Sequence, residues 1–350
     1  MIDDDLSLAR FYITLKSCSK AILVGPVQMG KVALVESAGK LLTDEPERQC
    51  QQMVGHARWA SGSWNVTSLV EAQASLNSYK LMTLLEEASL PENTDRLFIA
   101  CLTQVSPAEL HSLFAVPGLL SYRGAAPIPF PHNFRLIGTI DTVHFRWWTP
   151  ELLSHTAVIL WPGETTKSQC QHPLPFVVET RQAAARLSQP YSASFLRSSI
   201  RDEQVAYTQL IRLWGRRQPF RPLIKSVTML QNHDIHVPPE AINRAIVFMA
   251  NAWSQDGVAL LLPSGREVTA ALDLALDLAL VQYILPWIMI AGHPGRMLCR
   301  QLNRLLDGRF PQAAAFLQAQ AFSKKCRFYS TTVSSCARTD TCCASRIPSW

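Results

Sequence analysis

Hydrophobic and polar positions along the first half of the chain predict helices and strands in alternation. A helical stretch from Leu6 to Lys16 precedes the apolar run Ala21 to Val24, and a glycine-rich turn then opens a helix from Lys31 to Leu42. Further helices are predicted at Leu69 to Ala88, Ser106 to Phe114 and Pro150 to Ser154, and strands at Arg96 to Leu102, Phe134 to Thr139 and Ala157 to Trp161. This alternation favours an α/β fold, with a mostly parallel sheet and helices on both faces.

Beyond Pro162 the strand pattern stops. The helices predicted there are Pro175 to Leu187, Ser192 to Trp214, Pro238 to Ser254, Glu267 to Ile290 and Pro294 to Ala321. The last segment, Cys326 to Trp350, is rich in Ser, Thr, Arg and Cys and offers little apolar surface. We therefore expect an α/β core over 1–162, helices over 163–325 and a disordered tail over 326–350.

Composition narrows the class of protein. A chain of 350 residues that is 48% hydrophobic can bury a large core, and its net charge of +6 permits contact with nucleic acid or an anionic partner. Three aspartates at 3–5 are unlike the basic start of a secretory signal, and Asp273 and Asp277 interrupt the apolar run Val268 to Gly292. These features predict a cytoplasmic protein without a membrane span.

Nine cysteines are distributed unevenly. Five are scattered and are interpreted as reduced thiols, whereas four crowd into the tail. Metal binding through Cys336, Cys342 and Cys343 is the alternative for the tail, but no histidine accompanies them and their spacing fits no usual ligand set. No metal site is predicted from the cysteines.

A phosphate-binding motif lies between the first strand and the next helix. The residues match G-x-x-x-x-G-K followed by Val32, and they are Gly25, Pro26, Val27, Gln28, Met29, Gly30 and Lys31. Glycines let backbone N–H groups surround a phosphate, the helix N-terminus is electropositive, and the lysine reaches the outer phosphates. An ordinary glycine-containing turn with a surface lysine is the alternative. Val32 replaces the hydroxyl residue that holds magnesium, which predicts weakened hydrolysis.

A second motif identifies a resemblance. The run from Asn133 to Thr142, NFRLIGTIDT, is similar to the "NFRVIGTMNT" strand of the McrB-like AAA+ ATPases, and the resemblance extends over roughly residues 10 to 320. It implies a P-loop parallel sheet followed by an all-helical lid, to which the "ALDLQLLQKILPRI"-like helix Ala271 to Pro286 would belong. Asp141 stands where the family has a water-positioning Asn; it could retain that catalytic role or could merely cap the following turn.

The resemblance also implies that several hydrolytic residues are replaced. Cys101 and Leu102 occupy the positions of an Asp-Glu pair, and neither can ligate magnesium or act as a base. Ser154 and His155 replace an Asp-Arg pair whose arginine would act on a neighbouring subunit's phosphate, and Arg146 could approach a phosphate from another direction. Arg244 is the candidate lid arginine, with helix-surface pairing to Glu240 as the alternative.

Two functions follow from these patterns. One is a protein that binds ATP or GTP and hydrolyses it poorly, with the binding of Mg²⁺ left open. Such a protein would serve as an assembly or regulatory subunit, in a homo- or hetero-oligomer with other AAA+ or accessory subunits. The other is a working AAA+ motor that remodels a protein or nucleic acid. The aromatic stretch Trp59 to Trp64, with His56 and Arg58, could stack on such a partner or pack within the domain.

Overall fold

Five parallel strands form the central sheet of the computed structural model. The structure describes residues 5–26, 30–54, 80–105, 110–115, 119–120, 128–141, 148–161, 191–214, 220–254, 257–261, 268–290, 296–306 and 308–322. The strands are labelled in chain order as β1 (Lys20–Val24), β2 (Cys50–Val54), β3 (Phe98–Thr103), β4 (Leu119–Leu120), β5 (Ile128–Pro129), β6 (Phe134–Ile140) and β7 (Ala157–Leu160). The order in the large sheet is β2-β3-β6-β1-β7, and β4 pairs with β5 in a separate antiparallel ribbon.

The strands of the large sheet are mostly buried, as expected for a parallel sheet covered on both faces. Every residue of β1 and β6 is buried, and so are all but the last residues of β3 and β7. In register, Val24 lies beside Ile140 and Cys101 beside Ile137. The prediction that β1, β3 and β6 lie side by side and parallel is therefore confirmed.

Helices flank the sheet and make up most of the described residues after β7. Their bounds are Asp5–Ser17, Lys31–Leu42, Pro46–Gln49, 80–88, Pro150–His155, Tyr191–Ser198, Glu203–Trp214, Arg221–Gln231, Pro239–Asn251, Val268–Ala279, Trp287–Ile290, Arg296–Leu305 and Pro311–Phe322, with π-helical turns at Leu110–Phe114 and Leu280–Ile284. The helix Pro239–Asn251 packs on Asp5–Ser17, Pro150–His155, Glu203–Trp214 and Val268–Ala279. It therefore joins the sheet layer to the later helices.

The chain leaves β1 and β6 in opposite directions. From β1 it passes through the helix Lys31–Leu42 to β2, beyond β6 and β3, whereas from β6 it passes through Pro150–His155 to β7 on the other side of β1. Since such crossovers are right-handed, the two helices belong on opposite faces of the sheet. This change of direction is expected to leave a crevice at the carboxyl ends of β1 and β6, which is where open α/β sheets bind ligands.

Four elements differ from the predicted pattern. The edge strand β2 was not predicted, because the adjacent polar residues Gln51 and Gln52 interrupt its apolar signal. The single helix predicted over Ser192 to Trp214 is wrong, since residues 199–202 separate two helices there. The single helix predicted over Pro294 to Ala321 is also wrong, since two helices, Arg296–Leu305 and Pro311–Phe322, lie there. The helix Arg221–Gln231 was also missed. The predicted helix Pro175 to Leu187 and the tail 326–350 lie outside the described residues.

The most apolar segment, Val268–Ile290, is long enough and apolar enough to cross a membrane by length and composition. In the structure 72% of its apolar window is buried inside the protein. Asp277 within it is fully buried, and its carboxylate accepts hydrogen bonds from the backbone N–H groups of Gln312 (2.9 Å) and Ala313 (2.8 Å). These groups open the helix Pro311–Phe322, so a distant carboxylate caps that helix.

Replacement of this cap gives a stability prediction. Asp277→Ala is expected to lower the free energy of unfolding by about 2 kcal/mol, because two N–H groups lose their acceptor. Urea unfolding followed by circular dichroism measures the loss. Asp273→Ala, one turn earlier, removes a partly exposed pair with Arg309 and is expected to cost less than about 1 kcal/mol. Equal losses for the two variants would contradict the capping role.

Candidate functional site

The candidate phosphate loop begins at a close approach between two strands. Gly25 follows β1, and its N–H donates to the carbonyl of Ile140 at 3.2 Å. The N–H of Trp161 donates to the carbonyl of Val24 at 2.6 Å, which draws the end of β7 toward Gly25. A Cβ atom at position 25 would lie 2.8 Å from the backbone oxygen of Trp161. Only glycine fits there without a shift of the backbone.

The loop ends at a second glycine that the backbone conformation requires. Gly30 has φ 77° and ψ 9°, in the left-handed region, and it directly precedes the helix Lys31–Leu42. No side chain among the described residues caps this helix, and no acidic residue lies in its first turn. The electropositive N-terminus therefore keeps its capacity to attract an anion.

Lys31 lies inside the loop with its ammonium group against the backbone. Nζ donates to the carbonyl oxygens of Gly25 at 2.6 Å and Pro26 at 2.5 Å, and the residue is only 8% exposed. Burial lowers the pKa of Lys31, while the carboxylate of Asp141 raises it. An ammonium group held by two neutral carbonyls can exchange them for the more strongly attracting oxygens of a phosphate.

Asp141 immediately follows β6, and its carboxylate lies close enough to Lys31 to act on it electrostatically. It is half-buried and makes further contacts in the structure. The pairing of β1 with β6 explains why two residues so far apart in sequence meet at this edge. The structure thus brings together five predicted site residues, namely Gly25, Pro26, Gly30, Lys31 and Asp141.

The other predicted loop residues divide into two groups. Val27, Gln28 and Met29 lie outside the described residues. Val32 is half-buried at the second position of the helix Lys31–Leu42, and its side chain offers no oxygen to a metal. The position that would support a magnesium ion is therefore aliphatic.

On β3, Cys101 and Leu102, which were predicted to replace an Asp-Glu pair, are buried and apolar. Cys101 pairs with Ile137 and Leu102 with Gly138, so both lie below the level at which Ile140 meets Val24. Burial raises the pKa of the Cys101 thiol far above its usual value, which keeps the thiol protonated. Cys101 is consequently a core residue that offers neither a nucleophile nor a metal ligand.

The end of β3 instead presents Gln104, a residue that the sequence patterns did not single out. Gln104 has a left-handed φ of 56°, and its N–H donates to the hydroxyl of Thr139 at 3.1 Å. The next residue, Val105, donates its N–H to the carbonyl of Thr139 at 3.0 Å. The chain therefore turns sharply at the carboxyl edge of the sheet, at a residue with an amide side chain. Positive φ at a non-glycine residue has no sequence signature that would have revealed it.

Side chains of the motif around β6 hold the segment before β3 and the helix Asp5–Ser17 in place. At its start, Asn133 is 1% exposed and its Nδ2 donates to the carbonyls of Ala88 (3.0 Å), Asn93 (2.8 Å) and Arg96 (2.9 Å). Arg135 is also 1% exposed and donates to backbone carbonyls, including Leu15 O at 2.5 Å. Gly138 leaves room for Phe114, whose ring would lie 2.9 Å from an added Cβ. Only the last part of the motif, at Asp141, reaches the phosphate loop.

Arg244, the candidate lid arginine, lies away from the phosphate loop and beside His155. His155 Nδ1 is 3.5 Å from Nη2 of Arg244, and burial together with the charge of Arg244 lowers the pKa of His155. Arg244 also acts electrostatically on Lys20, which opens β1, whereas Lys31 lies beyond the end of that strand. Arg244 is therefore at the amino edge of the sheet, roughly 13 Å of strand away from the loop. In this position it cannot serve as a phosphate sensor within its own subunit.

Ser154, the other replaced residue of that helix, donates its hydroxyl to the carbonyl of Pro150 at 2.8 Å. Arg146 and the aromatic stretch Trp59 to Trp64, with His56 and Arg58, lie outside the described residues. Within the described ranges, no group of three or more His, Cys, Asp or Glu side chains is arranged to hold a metal ion. No protein-family model matches the chain, and no curated protein matches it at a significant level.

Proposed function

We propose that the chain binds a nucleoside triphosphate, ATP or GTP, at the loop Gly25 to Lys31 and turns it over poorly or not at all. The observation that carries the proposal is the combination at one sheet edge of three features: a left-handed Gly30, a helix N-terminus that no described side chain caps, and a buried Lys31 ammonium that donates to two backbone carbonyls. Each of these features favours an anion, and the loop occupies the crevice where open α/β sheets take ligands.

Impaired turnover follows from the side chains around that loop. Efficient hydrolysis of a phosphoanhydride requires a metal, a residue that positions water and a cation on the leaving charge. Val32, Cys101 and Leu102 offer no metal-ligating oxygen. Among the described residues, Asp141 is the carboxylate that acts on Lys31, and a single carboxylate is a poor magnesium site. The described residues around the loop therefore do not fit Mg²⁺.

The resemblance to McrB-like AAA+ proteins extends the proposal to assembly. On that basis the helices after β7 would form the lid, and the chain would act in the cytoplasm as an assembly or regulatory subunit beside other AAA+ or accessory subunits. A nucleotide that binds without hydrolysis can hold such a subunit in one conformation, since binding alone shifts a conformational equilibrium. Contact with nucleic acid would be made by the assembly.

A working motor is the second candidate, and Asp141 is the residue that favours it. A carboxylate beside Lys31 could orient water, as the corresponding Asn is expected to do in active relatives. However, the same carboxylate repels a triphosphate unless a cation offsets its charge. The two candidates therefore predict opposite effects when Asp141 is neutralised.

Asp141→Asn tests the location of the site. We expect the variant to bind ATP about fivefold more tightly than wild type, because one negative charge is removed beside the phosphates. Calorimetric titration with ATP in magnesium-free buffer measures the change. Glu92→Gln removes the same charge from the 3₁₀ turn that precedes β3 and is expected to leave affinity unchanged. Unchanged or weaker binding by Asp141→Asn would place the nucleotide elsewhere or give Asp141 a supporting role.

A further inference from the structure

An open cleft of about 920 Å³ is lined by residues that lie outside the phosphate loop. It is bounded by the helices Tyr191–Ser198 and Glu203–Trp214 and by Trp253, Ser254 and Gly257. The first of these helices is attached near the amino edge of the sheet, since Ser192 donates its hydroxyl to Leu42 O at 3.0 Å. The cleft is therefore separate from the crevice beside Lys31.

Positive charge is in excess along this cleft. Three arginines line it, Arg197, Arg201 and Arg212, against one described carboxylate, Asp202. Asp202 Oδ1 accepts the backbone N–H of Val205 at 2.9 Å and so caps the helix Glu203–Trp214. Arg197 pairs with Asp95 at 3.4 Å, whereas Arg201 and Arg212 make no ion pair with any described residue.

A fourth arginine, Arg135, is buried close enough to Arg201 for the two charges to interact. Nη2 of Arg135 is buried and has no hydrogen-bond partner among the described residues. Burial first, and the like charge of Arg201 second, lower the pKa of Arg135. The positive charges of Arg135 and Arg201 repel each other, and an anion placed near them offsets that repulsion.

The turn that carries Arg201 is held rigidly. Asn251, fully buried on the helix Pro239–Asn251, accepts the N–H of Ile200 at 2.9 Å and donates to the carbonyl of Ile200 at 2.7 Å. Arg201 therefore projects from a backbone that is fixed before any ligand binds, which reduces the entropic cost of binding.

We propose that this cleft binds a small ligand that carries a phosphate group. Guanidinium groups recognise phosphate through paired hydrogen bonds, and Arg201 and Arg212 both line the cleft. The volume suits a ligand of nucleotide or sugar-phosphate size, and Ile200, Leu213 and Trp253 supply apolar wall for its uncharged part. The concave shape favours a small molecule over an extended polyanion, which would require a longer basic track.

Inorganic pyrophosphate is a suitable probe, and the Lys31→Ala protein is the suitable background because it disables the phosphate loop. Calorimetric titration at low salt, where charge interactions are least screened, is expected to show saturable binding by Lys31→Ala. Adding Arg201→Gln and Arg212→Gln is expected to weaken that binding at least tenfold. Adding Arg221→Gln and Lys225→Gln instead removes the same charge from the helix Arg221–Gln231, outside the cleft, and is expected to change it less than twofold.

Circular dichroism confirms that each variant is folded, and Arg212→Gln alone, on an exposed helix face, serves if the double replacement unfolds the protein. Absence of binding in the Lys31→Ala background, or equal weakening by both pairs of replacements, would overturn the cleft site. A single-stranded oligonucleotide that bound more tightly than pyrophosphate and depended equally on Arg201 would overturn the small-ligand assignment. Because the phosphate loop is disabled throughout, these results are independent of the function proposed for it.

Discussion

Lys31→Ala is expected to weaken ATP binding about 100-fold while leaving turnover at its already negligible level. The ammonium group is 8% exposed and held by two backbone carbonyls, so it is positioned inside the loop before nucleotide arrives. Charge-assisted hydrogen bonds contribute about 1.5–3 kcal/mol each, and loss of one or two of them to phosphate accounts for a change of this size. Titration calorimetry gives the affinity, and release of inorganic phosphate from the same sample gives the turnover.

Lys40→Ala is the matched control, because Lys40 lies in the last turn of the same helix and is exposed. It removes an equal charge at the far end of that helix and is expected to change affinity less than twofold. Equal affinities of wild type and Lys31→Ala would remove Lys31 from the site. A fast wild-type turnover that Lys31→Ala abolishes would show that Asp141 or another group supports catalysis.

Asn133→Ala is expected to lower the free energy of unfolding by about 3 kcal/mol. Its amide nitrogen donates to three backbone carbonyls in the segment before β3, and the variant leaves those carbonyls buried without this donor. The segment carries β3 into register with β6, so the loss acts on the centre of the sheet. Chemical denaturation monitored by tryptophan fluorescence measures the change.

Asn243→Ala provides the comparison for that measurement, since the side chain of Asn243 makes an exposed bond to Glu203. Its expected cost is below about 1 kcal/mol, as for most surface replacements. A loss at Asn133 no larger than the loss at Asn243 would mean that the β6 motif is not held by Asn133.

The sequence patterns located the sheet and the loop because both depend on local signals. Four buried runs of β-type residues mark β1, β3, β6 and β7, and the two glycines and Lys31 mark the turn after β1. The meeting of Lys31 with Asp141 was also predictable, since parallel strands bring their carboxyl ends to one edge. The strand β2 was not, because an edge strand with two adjacent glutamines has a weak apolar signal.

Features that depend on packing between distant segments could not be predicted in this way. Arg244 was assigned by analogy to a phosphate sensor, yet the packing of its helix on Asp5–Ser17 and Pro150–His155 carries it to the amino edge beside His155. Likewise, Gln104 at the end of β3 takes a positive φ because Thr139 on β6 accepts its N–H. Neither contact is encoded by the spacing of residues along one element.

Equilibrium binding of ATP and of GTP to the wild-type chain, measured with and without magnesium, tests the central claim most directly. A turnover assay on the same sample completes the measurement. We expect one of the nucleotides to bind saturably at the loop, with an affinity that depends weakly on magnesium because Val32, Cys101 and Leu102 offer it no ligand. Turnover is expected to be negligible. Hydrolysis at about 1 per second or faster, or no binding of either nucleotide, would contradict the account.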